Sequence, residues 1–204
     1  MNRKLSAVLF FFLMARTIQA SEIRAMFGMN LSKYLFADSN DSLNRQQKTG
    51  LDFGLGWAFN LNVNIKLEVN AMYSQGGTKA SIAYTPDSLV SGFYRNTSLT
   101  FPIFLKYGFK TKASPYIAAG PEFIFLLSHH LLFPEIEEDF DLSDNTKKFI
   151  LAFVAMLGYE LPFGKWSLTA ELRYSRWLSN FLNDPQTAAR SESFALLLGG
   201  VYYL

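Results

Sequence analysis

The sequence predicts an all-β fold, an eight-stranded antiparallel transmembrane β-barrel with short turns at one end and longer loops at the other. Three observations carry that expectation. Large apolar side chains recur at every second position, most plainly in Leu51, Phe53, Leu55, Trp57 and Phe59, which is the period of a strand with one apolar face. The connections between such segments alternate between long and short, as in bacterial outer-membrane barrels, whose periplasmic turns are short and whose outer loops are longer. The 204-residue chain also pairs a secretory-type leader with an aromatic-rich apolar strand over its last residues, 194–204.

The leader sets the compartment. Asn2-Arg3-Lys4 is basic, residues 5–15 are apolar, and Ile18-Gln19-Ala20 places a small residue before an expected cut after Ala20. About eleven apolar residues fall well short of the ~20 that span a hydrocarbon core. Residues 1–20 therefore read as a Sec-type signal peptide rather than an anchor. The remainder, 21–204, reads as one outer-membrane β-barrel domain, because no composition shift or Ser/Pro-rich linker divides it. With no cysteine and only two, adjacent, histidines, the expectation is no disulfide framework, no metal site and no cofactor. A net charge of +2 with scattered basic residues lacks the footprint of a nucleic-acid binder. Twenty phenylalanines and ten tyrosines suit strands and membrane interfaces.

Eight strands follow in order. The first, 22–31, puts Ile23, Ala25, Phe27, Met29 and Leu31 on one face, and the second, 49–60, is the clearest period-two stretch. After a turn at Leu61-Asn62, the third sets Val63, Ile65, Leu67, Val69, Ala71 and Tyr73 opposite Asn64, Lys66, Glu68, Asn70 and Met72. The rest are expected at 93–109, 115–127, 149–163, 165–178 and 191–204. Residues 123–127 and 149–157 are apolar on both faces, and a buried helix also fits 149–157. The last strand should pair with the first and leave the barrel without an edge.

The long gaps, 32–48, 75–92, 128–148 and 179–190, carry polar clusters such as Asp38-Ser39-Asn40-Asp41-Ser42. A soluble secreted barrel or sandwich would turn the same apolar face inward, and period two alone does not separate the two. The membrane reading is favoured by aromatics at the ends of the apolar face. Phe59, Tyr107, Tyr159, Trp166 and Tyr202 fall near the short turns, and Tyr34, Tyr73 and Phe93 mark a second girdle. The opposite face carries Arg24, Asp52, Lys66, Glu68, Lys106, Glu122, Glu160, Glu171 and Arg173. In so narrow a barrel these fill the interior, so they are expected to pair there rather than to form an ion path or proton relay.

Three stretches carry a resemblance. Leu99-Thr100-Phe101-Pro102-Ile103-Phe104-Leu105-Lys106-Tyr107 resembles the "xIPLLLKY" strand of PorT-like outer-membrane β-barrel proteins, and Pro115-Tyr116-Ile117-Ala118-Ala119-Gly120-Pro121 resembles their "PYLxxGP" strand. The segment 168–175 with Leu178-Ser179-Asn180 resembles their "xxExRYxxGLxN", with Trp177 where the family usually has Gly. The resemblance implies an eight-stranded barrel similar to OmpA-type membrane domains, no catalytic residues, and a link to protein secretion.

Candidate chemistry is sparse. His129 and His130 close the fifth strand, with Ser128 and Ser143 nearby. Neighbours on a strand point to opposite faces, so Ser128 with His129 is a poor nucleophile–base pair. The acidic segment 135–144 lacks the spacing and glycine of an EF-hand loop and reads as solvated, with Phe140 and Leu142 covering the barrel mouth. Pro102 and Gly120 read as structural. The expectation is a non-enzymatic protein of the outer membrane of a diderm bacterium, presenting loops for binding, envelope integrity or support of secretion. The alternatives are a barrel-embedded lipid hydrolase or acyltransferase and a narrow pore. Expected partners are outer-membrane lipids and lipopolysaccharide, the barrel-assembly machinery during insertion, and a secretion-system or surface partner, with no nucleic acid.

Overall fold

The computed structural model describes residues 21–36, 46–85, 88–109, 114–135, 137–183 and 189–204. The leader and the segment Asp38-Ser39-Asn40-Asp41-Ser42 lie outside the described residues. The strands are β1 (Glu22–Phe36), β2 (Gln46–Asn60), β3 (Ile65–Thr85), β4 (Ser88–Gly108), β5 (Ser114–Phe133), β6 (Glu138–Asp141), β7 (Phe149–Phe163), β8 (Trp166–Trp177) and β9 (Ala189–Tyr203). Leaving aside the short β6, each strand pairs with the strands before and after it, and β1 pairs with β9, so eight antiparallel strands close into an up-and-down barrel. β6 is a short flap on the outer end of β5, His130 opposite Asp141. The seam runs from Glu22 opposite Tyr203 to Phe36 opposite Ala189.

In each strand one face points in and the other out, and in β5 a bulge opposite Thr97 and Ser98 moves the inward face from Leu126 to His129. Odd positions of β1 face outward, with Phe27 65 % exposed, while Glu22, Arg24, Met26, Asn30, Ser32 and Tyr34 point into the barrel. The outward faces of β2, β7, β8 and β9 carry Leu51, Phe53, Leu55, Phe153, Leu157, Leu168, Leu172, Leu196 and Leu198 in the open. Apolar side chains outside and charged ones inside is the inverse of a soluble sheet and matches a barrel solvated by lipid. The interior, filled by side chains, is the core.

The structure bears out the strand expected at 149–163 over its helical alternative and revises other sequence expectations. β7 is a strand throughout, not a helix: Ile150, Ala152, Val154 and Met156 face inward and Phe149, Phe153 and Leu157 outward. The gap at 75–92 is mostly strand, because the β3–β4 ladder continues to Thr85 opposite Ser88. At 21 residues each, these two strands far exceed the ~10 that cross a bilayer. Beyond the lipid the ladder needs no apolar face, so hydropathy stopped short of where the hydrogen bonds stop. The β2–β3 turn is longer than expected, since Asn62 Oδ1 accepts from the backbone N–H of Asn64 at 2.8 Å and of Ile65 at 2.8 Å. That Asx cap delays β3 to Ile65. Gly164 takes φ +67° at the first central position of the β7–β8 turn, the place where a type II′ hairpin puts glycine.

Candidate functional site

The bore is filled in three layers. Nearest the short turns, four cations meet four carboxylates: Arg24, Lys66, Lys106 and Arg173 with Glu22, Glu68, Glu160 and Glu171. Arg24 on β1 pairs with Glu68 on β3 and with Glu171 on β8, and its Nη2 also donates to the Tyr116 hydroxyl on β5 at 3.2 Å. β1 and β5 are diametrically opposite in the closed order, so this one side chain spans the bore. Tyr116 donates onward to Glu171 Oε1 at 2.7 Å, and Lys106 Nζ sits 3.6 Å from the centre of the Tyr116 ring. Arg173 forks onto Glu171 at 3.0 and 2.7 Å. Lys106 holds Glu160 at 3.3 Å, Tyr203 donates to the same carboxylate, and Lys66 pairs with Glu22. Arg24 is 2 % exposed and Glu68 0 %. Charges so far from water persist only when paired and hydrogen-bonded.

The middle layer is polar. Asp52 accepts from Asn30 Nδ2 at 2.8 Å and from Ser74, and Glu122 accepts from Ser175 Oγ at 2.6 Å. Between them lies a cavity of about 60 Å³, bordered also by Arg173 and Ser191.

The outer layer is aromatic. Tyr34, Trp177 and Phe181 interlock, with Tyr34 and Phe181 centroids 4.8 Å apart and Trp177 and Phe181 5.2 Å apart. Ile124, Leu126, Ile150, Ala152 and Ala189 complete the cluster. Tyr34 is therefore not part of an outer girdle as its position along the sequence implied; its even parity in β1 sends it inward, where it is 1 % exposed. This layer also explains why 123–127 and 149–157 lose their alternation: at this height the inside is as apolar as the outside.

All nine residues expected on the inner face do face the bore. Of these, Lys66 alone stays partly open, with 24 % of its side chain exposed. Sequence reasoning missed three of their partners, Glu22, Tyr116 and Tyr203, although Glu22 shares a face with Arg24, Tyr116 shares one with Glu122, and Tyr203 lies on the face opposite Tyr202. The girdle near the short turns stands: Tyr107, Tyr159 and Trp166 are exposed, and Trp166 packs on Tyr202 with centroids 4.7 Å apart. Gly120 is structural, since a Cβ there would meet the Ile103 carbonyl oxygen at 1.9 Å.

The two histidines part company. His130 Nδ1 lies 2.9 Å from Asp139 Oδ1 on β6. His129 is 2 % exposed, inside the aromatic layer. Ser143, in the 3-10 turn Ser143–Asn145, reaches His129 through the main chain, its Oγ accepting from the His129 N–H at 3.1 Å. Neither imidazole is joined to a serine hydroxyl among the described residues. Hydrogen bonds from the Ser143 side chain and backbone hold the Asp141 carboxyl below its ordinary range. Leu142 does cover the mouth, lining a cavity there, but Phe140 lies against Phe133 and is exposed. It faces out because β6 continues the sheet instead of folding over the bore.

A family model described as outer membrane protein beta-barrel domain matches residues 15–183. No curated protein matches the chain. Among solved structures, OprG from Pseudomonas aeruginosa is similar at 9 % identity and TM-score 0.53, with 91 % of this chain and 97 % of that one covered. Neisserial surface protein A matches at 12 % identity and TM-score 0.46 over 89 % and 97 % of the two chains. The N-terminal barrel domain of Pseudomonas aeruginosa OprF matches at 12 % and 0.42 over 91 % and 100 %. At these identities the likeness to OprG speaks for the fold alone. With its closed eight-stranded barrel, lipid-facing apolar surface and a family match over most of its length, the chain belongs to the outer membrane protein beta-barrel domain family.

Proposed function

We propose that this outer-membrane barrel works without catalysis, as an anchor whose outer strand ends and loops present a binding surface for envelope integrity or protein secretion. The observation that carries this reading is the bore. A neutral layer of paired charges bridges opposite walls, and an aromatic layer lies over it, which leaves the lumen to act as a core and puts recognition at the outer end. The resemblance of 99–107, 115–121 and 168–175 to PorT-like proteins supports secretion as the process served. Lipopolysaccharide and a secretion-system component are the partners that fit.

The test is reconstitution. In planar bilayers at high protein density the traces are expected to stay silent, and discrete conductance steps would refute a closed core. Lipid extracts from membranes carrying the wild type or the His129→Ala/His130→Ala double variant should be the same. A lipid modification that depends on those histidines would replace this reading with the enzymatic one.

A further inference from the structure

The cavity at the outer mouth has the features of a built binding site. It measures about 210 Å³ and is lined by Tyr34, Tyr94, His129, Leu142, Phe181 and Leu182, together with Asn145 and Thr146. Its walls are held by main-chain bonds between two outer connections. Lys147 N donates to the Phe181 carbonyl at 2.7 Å, Asn183 N donates to that of Asn145 at 3.0 Å, and Thr146 bridges Leu182. Ala189 N donates to Asn180 Oδ1 at 2.9 Å, which fastens the second connection to β9.

Within this frame His129 is the anomaly. Its ring stacks on Tyr94 at 5.8 Å and meets Tyr34 at 5.8 Å and Phe181 at 5.7 Å, edge to face. Both of its ring nitrogens are buried with no hydrogen-bond partner among the described residues. A neutral imidazole carries one donor and one acceptor, and a buried polar group left unpaired costs free energy that a ligand can recover. Cavities of roughly 150 Å³ with apolar walls accept benzene; this one is larger and aromatic-walled, and His129 brings to it two ring nitrogens without a partner among the described residues. A few placed polar groups in a mainly apolar concavity is the usual build of a small-molecule site.

We propose that the mouth cavity binds a small neutral aromatic molecule bearing one hydroxyl or N–H group. The ring would sit among Tyr34, Tyr94 and Phe181, with its polar group hydrogen-bonded to His129. A charged or polysaccharide ligand does not fit, because no carboxylate, ammonium or guanidinium side chain lines the cavity among the described residues. The inference goes beyond the surface-binding role and stands whether or not a secretion partner docks on the loops.

Phenol and toluene are the probes, since they share a ring and differ in the hydroxyl. The purified barrel is refolded in detergent with labelled histidine, and the half-buried His130 is replaced by alanine, so that the one remaining imidazole signal is that of His129. Phenol should shift this signal saturably and bind about tenfold tighter than toluene after correction for micelle partition, the scale of one hydrogen bond to a buried partner. His129→Leu, which removes the reporter and is therefore followed by titration calorimetry against the same two probes, should erase the preference for phenol while keeping the barrel's heat-modifiable migration. Leu182→Trp, which fills the cavity from the loop, should abolish the saturable response to both probes and keeps the test decisive if the His129 variant fails to fold. A shift that never saturates, a response untouched by Leu182→Trp, or a phenol preference that survives His129→Leu would overturn the proposal.

Discussion

Replacing Arg24 by methionine tests whether the charged layer is the structural keystone of the bore. The substitution keeps length and apolar volume and removes one cation from a set of four facing four carboxylates. An exposed pair would forfeit only ~0–1 kcal/mol, whereas stranding a buried partner costs about 3–5 kcal/mol. The structure places the expectation at the lower end of that range, about 3 kcal/mol, because the orphaned carboxylates retain some company. Glu171 keeps Arg173 at 2.7 Å and the Tyr116 hydroxyl at 2.7 Å, while Glu68 keeps Asn70 Nδ2 at 3.0 Å and has Lys106 at 4.0 Å. Reversible urea unfolding in phospholipid vesicles, followed by tryptophan fluorescence and gel mobility, gives the number. The diagnostic variant is Arg24→Met/Glu68→Gln, which removes the stranded charge along with its partner and should recover about half of the loss. A loss under about 1 kcal/mol for Arg24→Met, or no recovery in the double variant, would refute the claim that buried pairing holds this layer together.

Two further outcomes are expected. Gly158 on β7 is bare because Tyr116 occupies its side-chain space: a Cβ there would lie 2.2 Å from Tyr116 Cζ and 2.5 Å from its hydroxyl. Gly158→Ala should cost about 1–3 kcal/mol as overpacking, and in a Tyr116→Ala background the same change should add nothing measurable by the vesicle assay. Because the chain has no cysteine, single-cysteine variants report orientation directly: a membrane-impermeant thiol reagent on intact cells should label positions 40, 87 and 144 and spare Asn62, and the reverse pattern would invert the assigned topology.

Much of this architecture is legible in sequence because lipid outside and paired charge inside impose opposite chemistry on alternate residues. Glu68 and Lys106, or Glu171 and Arg173, declare their face the moment Leu67, Leu105 and Leu172 declare theirs. Legibility fails where one of the two environments changes. At the outer end the interior turns apolar around Tyr34, Ile124 and Ile150, and a bulge in β5 moves the inward face from Leu126 to His129, so neither hydropathy nor simple alternation reads through. At 75–92 the alternation lapses in the sequence while the backbone ladder continues, so a long hairpin looks like a loop. The mouth cavity was illegible for another reason: its walls come from β1, β4, β5 and two outer connections, and no local pattern announces that Tyr34, Tyr94, His129 and Phe181 share a site.

The stretches that resemble PorT-like proteins acquire a physical meaning in the folded barrel. Residues 99–107 bring Lys106 into the charged layer, 115–121 bring Tyr116, and 168–175 bring Glu171 and Arg173, while Leu105, Ile117 and Leu172 of the same segments face the lipid. These motifs satisfy two solvents at once, so the demands of the barrel are written into the same residues that carry the family likeness. Whatever distinguishes this chain from another barrel with the same bore must therefore lie where both demands lapse, above the polar middle layer. The aromatic mouth, the β5–β6 flap and the projecting β3–β4 hairpin are there. Grafting those outer elements onto another eight-stranded barrel should carry the binding behaviour with them and leave stability to the recipient's own interior.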